Sequence, residues 1–268
     1  MTFLKKHVNE EGDVAAPKAR AKEGMAGLAK GLAIIEAFDA STTRMTVSDA
    51  AQLTGQTRPA ARRCLLTLVD LGYLAHDGKF FTPLPRMLRL GGAWLSTSSL
   101  PQIAQPLLAK ARDTLNESVS LAVLDEGYSV FVARAESLRI VSTGVRIGAR
   151  LPVWCSATGR VLLSGLGDEE ARACLDSVPM KALTERTLMD PDAVMDVIRR
   201  AREEGYAISA EELEIGMSAL AVPVRKRGGQ ITAALSVSVF SGRVGLDRLL
   251  EEFLPVLRET ASRLERSL

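Results

Sequence analysis

The chain is 268 residues long, 47% hydrophobic and 25% charged, with a net charge of +2, a composition that allows one large or two medium globular domains and excludes a fibre, a repeat array or a disordered chain. No apolar run is long enough to span a bilayer, and the N-terminus lacks the order of a signal peptide, so the protein is expected in the cytoplasm and off the membrane. Three widely spaced cysteines, Cys64, Cys155 and Cys174, form neither a disulfide framework nor a zinc-ligand set and read as small buried hydrophobes.

Residues 1–24 are polar and alternate lysine with acid, which predicts a loosely ordered arm. From Met25, the residues Leu28, Leu32, Ile35 and Phe38 fall on one stripe, predicting a first helix that packs under the elements after it. Thr46 to Tyr73 then reads as two helices around a tight turn. Thr46 and Asp49 have capping-box spacing, Ala50, Ala51 and Leu53 supply the apolar side, and Gly55 suits the left-handed residue that ends the first helix. Thr57 is placed to cap the second helix, and Pro59 sits early enough to be tolerated. That helix is predicted to bury Ala61, Leu65, Leu68 and Val69, leaving Arg58, Arg62 and Arg63 off the stripe. On these residues alone, a helical hairpin with a solvated basic face stays open beside a helix-turn-helix. The next residues favour the latter: Tyr73 to Ala75 and Phe80 to Thr82 read as strands around the D-G turn at Asp77 and Gly78, the wing of a winged helix. Charge agrees, since residues 1–97 hold 13 basic side chains against 9 acidic, and the remainder 21 against 23.

Pro83 and Pro85 mark a boundary, and Arg86 to Ser96 reads as a connecting helix weakened by Gly91 and Gly92. Its Met87, Leu88, Leu90, Trp94 and Leu95 are too many apolar groups for a solvated linker, which points to contact with a second copy of the chain, with packing on its own domain as the alternative. The expected division is an arm at 1–24, a winged helix-turn-helix domain at 25–84, a linker helix at 85–98 and a second domain at 99–268. In that second domain, Pro101 to Leu115 reads as a helix kinked or restarted at Pro106. Strands are predicted at Val119 to Leu124, Val130 to Ala135, Ile140 to Thr143, Ser218 to Arg225 and Ile231 to Phe240. Helices are predicted at Ser156 to Leu166, Asp168 to Leu175, Asp190 to Gly205 and Leu246 to Leu268. Mixed strands and helices of this kind suggest an α+β sensor-like fold.

The two histidines, His7 and His76, lie in the arm and the wing turn, so no Ser-His-Asp or Cys-His site is available to the second domain. There is no Walker loop, dinucleotide fingerprint or metal-ligand set, and neither an enzyme nor a cofactor is expected. The acids Glu211, Glu212 and Glu214 could pair, though exposed loop acids explain them as well. Gly148 to Gly165, GARLPVWCSATGRVLLSG, is the most distinctive stretch: an extended basic segment, a small-residue turn, then a helix whose first turn has free N–H groups that favour an anion. A small acid could sit there, and so could nothing but a packed helix.

The helix-turn-helix with its wing, GARLPVWCSATGRVLLSG, GYAISAEELEIGMSALAVPV and ITAALSVSV occur in the order seen in IclR-type transcriptional regulators, which the chain resembles from about Gly24 onward. FVARAESLRIVSTGVRIGARLPVWCSATGRVLL and LTERTLMDP look most like the branch that regulates protocatechuate, 4-hydroxybenzoate and β-ketoadipate catabolism. The resemblance implies an N-terminal winged helix-turn-helix domain, a linker helix and a C-terminal GAF-like effector-binding domain, in dimers that pair into tetramers. It also implies an effector pocket lined by Thr143, Leu151, Ala157, Thr158, Ser209, Glu211, Met217, Ala219, Ser236 and Ser238. Arg134, Arg146 and Arg150 are added as counter-charges for a carboxylate, because arginine suits a planar anion. The arginine-rich TRPAARR and the Trp154-Cys155 pair depart from the branch, which puts operator and effector identity in question.

The function expected is that of a ligand-responsive regulator on a pseudo-palindromic double-stranded operator. Arg58 and Arg62 would reach base edges, with Thr57, Arg63 and Lys79 nearer phosphate. A small carboxylic acid, aromatic or dicarboxylic, would shift the arrangement of the DNA heads through the linker helix. The alternative is a sensing or scaffolding module whose helix-turn-helix serves protein contact only.

Overall fold

The computed structural model describes residues 24–39, 41–137 and 145–268; the predicted arm up to residue 23 and the predicted strand Ile140 to Thr143 lie outside the described residues. The chain divides into two compact units, Met1–Gly91 and Gly92–Leu268.

The first unit runs α1 (Ala26–Glu36), α2 (Val47–Thr54), α3 (Arg58–Asp70), β1 (Leu74–His76) and β2 (Phe81–Pro83). Thr46 and Asp49 form a full capping box at the start of α2: the Thr46 N–H donates to Asp49 Oδ2 at 2.8 Å and the Asp49 N–H to Thr46 Oγ1 at 3.3 Å. Gly55, at φ 64°, ends α2 with its N–H on the Ala51 carbonyl; a side chain there would be strained. Ile34, Met45, Ala50, Ala61, Leu65, Leu74 and Phe81 make the core. In the wing, β1 and β2 pair antiparallel, with His76 opposite Phe81. Asp77 Oδ1 accepts from the Lys79 and Phe80 N–H groups at 2.9 and 2.7 Å across the turn. Met45 exchanges two backbone hydrogen bonds with Phe81, so the segment before α2 lies against the wing.

Four local expectations are corrected here. Thr57 is the residue before α3, but its side chain makes no capping bond. Leu53 is exposed, because α2 has one short buried side, occupied by Ala50 and Ala51. On α1 the buried residue is Ile34, whereas Leu28 and Leu32 are 60% and 44% exposed. Periodicity located the stripe, but half of it has no cover within this unit. Val69 is half-buried, and Ala60 joins the buried side of α3 instead.

A single 3-10 turn, Pro85–Met87, leads into α4 (Leu88–Thr97), which is helical through both glycines. The second unit continues with α5 (Ser99–Leu115), unbroken at Pro106, then β3 (Val119–Asp125), β4 (Tyr128–Ala135) and β5 (Arg150–Pro152). There follow α6 (Ala157–Ser164), α7 (Asp168–Asp176), α8 (Pro191–Glu204), β6 (Ala207–Ala210), β7 (Met217–Arg225) and β8 (Ile231–Phe240). The predicted C-terminal helix is instead a short α9 (Leu246–Arg248), a wide π turn over Leu249–Phe253, and α10 (Leu254–Glu265). The widening falls just before Pro255, which has no N–H to return to the preceding turn.

Among the described residues, the strands form an antiparallel sheet in the order β5-β4-β3-β8-β7-β6, with β3 seated against β8. Alternation divides its two faces. Leu121, Leu235, Val237, Leu220 and Val222 point to one face and are covered by α5 and α10, whose Leu108, Leu257 and Leu264 are fully buried with them. Each such leucine contributes roughly 2 kcal/mol through the water it no longer touches. The opposite face carries small side chains, Ala234, Ala221 and Ala207, against which α6 packs. Small residues on that face leave room beside α6, and the cavity described below occupies it.

Candidate functional site

In the first unit, Thr57, just before α3, and Arg58, Arg62 and Arg63 on it are all exposed, while Ala61, Leu65 and Leu68 of the same helix are buried. Arg58 and Arg62 are one turn apart and share a side of the helix. Arg63 is turned toward α1, where it borders an apolar groove of about 680 Å³ lined by Leu28, Leu32, Ile35, Leu71, Tyr73 and Leu90. Lys79 is exposed at the wing turn, with its Nζ 5.0 Å from the centre of the Phe80 ring. The structure adds a residue that the sequence reading passed over. Arg44 lies over the same ring at 4.3 Å, carried there by the pairing of Met45 with Phe81. Nothing local in STTRM announces that pairing.

In the second unit, a cavity of about 510 Å³ opens between the start of α6 and the small-residue face of the sheet. The start of α6 is held rigidly. Ser156 Oγ donates to the Pro152 carbonyl at 2.6 Å and accepts from the Gly159 N–H at 3.1 Å. Ser129 Oγ donates to Thr158 Oγ1 at 2.7 Å, and Ser209 Oγ donates to the Cys155 carbonyl at 2.6 Å, tying β4 and β6 to the same turn. Gly159 is required for the close approach: a β-carbon there would lie 2.3 Å from Val153 Cα and 2.6 Å from its carbonyl oxygen.

Of the residues named from the sequence, Arg150, Leu151, Ala157, Thr158, Ser209, Met217, Ala219, Ser236 and Ser238 line this cavity. Thr143 lies outside the described residues. Glu211 is not among the lining residues. Its carboxylate pairs with Arg186 at 2.5 Å, and its backbone takes the left-handed conformation, φ 61°, that turns it out of β6. Arg146 is exposed and also absent from the wall. Arg134 does not line the cavity, but it donates to Ser120 Oγ at 2.9 Å, and Ser120 stands opposite Ser236 across β3 and β8. Burial pulls the Arg134 pKa below the usual arginine value, with Glu136 opposing.

Arg150 projects from the edge strand β5, its guanidinium 4.7 Å over the Tyr128 ring and only loosely paired, at 3.8 and 3.9 Å, with Asp125 and Glu126. Pairs of that length hold a partly exposed arginine weakly. Phe131, Val145, Pro152, Leu183 and Leu213 complete an apolar wall, and Ser156, Ser218 and Glu214 add polar groups. Sequence reading did not assign these residues to the wall, because they come from strands and loops that lie far apart along the chain. Trp154 and Cys155 are buried in a small core with α7 and α8 and do not reach the cavity. Burial pushes the Cys155 thiol up to about 12, so it stays protonated at neutral pH and is no nucleophile. Cys64 and Cys174 are half-buried rather than buried.

A winged helix with an arginine-bearing second helix, joined to a unit with a ligand-sized cavity, defines a DNA-binding regulator with a sensor. The chain belongs to the IclR family: residues 27–78 match the IclR helix-turn-helix domain, and residues 92–266 match the bacterial transcriptional regulator IclR C-terminal domain. It is a ligand-responsive transcriptional regulator of that type. It is 39% identical to the Pca regulon regulatory protein of Pseudomonas putida over 87% of this chain and 80% of that protein. It is 38% identical to the p-hydroxybenzoate hydroxylase transcriptional activator of Acinetobacter baylyi over 93% of this chain and 94% of that one. The crystal structure of an IclR homolog complexed with 4-hydroxybenzoate from Microbacterium hydrocarbonoxydans is similar in fold, with a TM-score of 0.73, 29% identity and coverage of 90% of this chain and 98% of that chain. No helix among the described residues is long and apolar enough to cross a membrane.

Proposed function

We propose that this regulator controls genes for the breakdown of aromatic acids and that its effector is a small aromatic carboxylate bound in the cavity beside α6. The observation that carries the reading is the character of that cavity. Phe131, Leu151, Leu183 and Met217 offer an apolar slot for a ring, Thr158, Ser209, Ser236 and Ser238 offer hydroxyls for ring substituents, and Arg150 supplies a cation. The p-hydroxybenzoate hydroxylase activator and Pca regulon regulator to which the chain is 38% and 39% identical support the gene class, and the homolog complexed with 4-hydroxybenzoate supports the class of ligand.

On the DNA side, Arg58 and Arg62 read base edges from the major groove, while Thr57, Lys79 and Arg44 hold phosphates; Arg63 borders the groove against α1 instead. The operator is pseudo-palindromic because two copies of the chain bind it. The exposed Leu28 and Leu32 on α1, with Leu90, form the apolar groove through which those copies meet. Pairing of dimers into tetramers belongs to the same reading, as does a cytoplasmic location and a division at residues 24, 84 and 98 into arm, DNA-binding domain, linker helix and effector domain.

Calorimetric titration of the full chain with 4-hydroxybenzoate, protocatechuate and benzoate, followed by operator binding with and without the tightest of them, tests the reading. The expected result is saturable binding of at least one acid and a 5- to 150-fold change in operator affinity, corresponding to a coupling of about 1 to 3 kcal/mol. No binding by any acid across such a panel overturns it.

A further inference from the structure

A buried ion pair stands behind the cavity rather than in it. Arg160, on the far side of the first turn of α6, has a side chain only 3% exposed, and its guanidinium grips Glu212 through two nitrogens at 2.5 and 2.7 Å. The same guanidinium donates to the carbonyls of Trp154 and Ile208, each at 3.0 Å. Glu212 also accepts the Leu188 N–H at 3.1 Å, and its carbonyl accepts the Thr187 hydroxyl at 2.7 Å. Thr187 Oγ1 in turn accepts the N–H groups of Leu183 and Thr184 at 3.0 and 2.9 Å.

Two loops therefore close on one node, residues 183–188 and residues 211–216 with the first residue of β7, Met217. These loops supply Leu183, Leu213, Glu214 and Met217 to the cavity wall. Stability alone does not account for such a pair, since a buried ion pair is often matched or exceeded by apolar residues of similar volume. What an apolar pair cannot do is receive the Leu188 N–H and hold the Ile208 carbonyl at the same time, fixing both loops against α6.

We propose that Arg160 and Glu212 are positioning residues for effector binding, preorganising the two loops that form the rim so that the effector does not have to order them. The proposal rests on the reading of the cavity as the effector site. Its test uses the full chain as wild type and as Thr187→Val, Glu212→Gln and the double variant Arg160→Met with Glu212→Met.

Hydrogen exchange without ligand addresses the node by itself. In Thr187→Val, which disturbs no charge, and in Glu212→Gln, both loops should exchange about tenfold faster together, while α10 is unchanged. Loops that exchange as in the wild type overturn the proposal. Titration with 4-hydroxybenzoate addresses the consequence: Thr187→Val should bind about tenfold more weakly while melting within a few degrees of the wild type, and Glu212→Gln should bind as weakly and melt clearly lower, because it leaves the buried Arg160 guanidinium without its counter-charge. In the double variant, melting should recover without recovery of affinity; recovery of both makes the pair merely structural and overturns the proposal. A wild type that does not bind the acid removes the aromatic-acid reading instead, and the exchange result still decides whether the node holds the loops.

Discussion

The guanidinium of Arg44 and the side chain of Lys79 share one aromatic seat, lying 4.3 and 5.0 Å from the centre of the Phe80 ring. The ring holds two cations at the tip of the first unit, one from the wing turn and one from the segment before α2. Cation–π contacts of this exposed kind are worth about 0.5 to 1 kcal/mol each, enough to orient the cations without neutralising them. Arg44→Ala is therefore expected to weaken binding to operator and random duplex alike and to lower the slope of log K against log salt by about 1. A salt titration with both duplexes measures this, and an unchanged slope would show that Arg44 meets no phosphate.

Arg62 should behave differently. Exposed one turn beyond Arg58 on α3, it is assigned to a base edge, where losing a bidentate contact costs about 1 to 3 kcal/mol of discrimination. Arg62→Ala is expected to reduce the ratio of operator to random-duplex affinity by roughly 5- to 150-fold at fixed salt. If the ratio holds, the base-reading role belongs elsewhere on the helix.

Gly159 gives a prediction about the sensor unit alone. Because its β-carbon would meet the backbone of Val153 at 2.3 Å, Gly159→Ala must push α6 off the turn that Ser156 and Ser209 secure. Overpacking against backbone costs about 3 kcal/mol. Thermal denaturation should show the melting point of this unit falling by about 6 to 12 °C, with effector affinity falling too because Ala157 and Thr158 move with the helix.

Acid should loosen the first unit through its caps. Hydrogen bonds from the Thr46 backbone and hydroxyl hold the Asp49 carboxyl below its ordinary pKa, and those from Phe80 and Lys79 do the same for Asp77. A carboxylate lowered on folding stabilises the fold above its unfolded pKa, about 3.9, and that contribution disappears as the pH falls through the folded value. Asp49→Asn should therefore melt below the wild type at pH 7, with the gap narrowing below about pH 4. A gap that stays constant with pH would mean that the charge of the cap contributes nothing.

The elements most legible in the sequence were those whose signals are local. Thr46 with Asp49, Gly55, and the D-G turn each act within a few residues, and helix starts and hairpins follow from them. Burial was harder, because apolar spacing identifies a stripe without saying what covers it; Leu28 and Leu32 keep the helical spacing with Ile35 and Phe38 yet are open, while the buried Ile34 lies off that stripe. Short edge strands escaped for a related reason: Ala207–Ala210 and Arg150–Pro152 are too brief for alternation to show. In the cavity, the start of α6 could be argued from its own residues, whereas Ser236 and Ser238 could be placed beside it only through resemblance. The strand order that brings them there is a property of the whole unit. Glu211 illustrates the limit, since one left-handed residue is enough to turn it from the wall toward Arg186.

That strand order also bears on how the protein is made. β3 lies in the middle of the sheet beside β8, whose first residue, Ile231, comes more than a hundred positions later. Domains form as they leave the ribosome, N-terminal first, so the winged helix is complete long before the wall bearing Ser236 and Ser238 exists. A chain cut short before β8 would be a DNA head with no working sensor, able to sit on an operator and deaf to its effector. Because β8 is central, the sheet of the second unit cannot close until the chain has been made past Phe240.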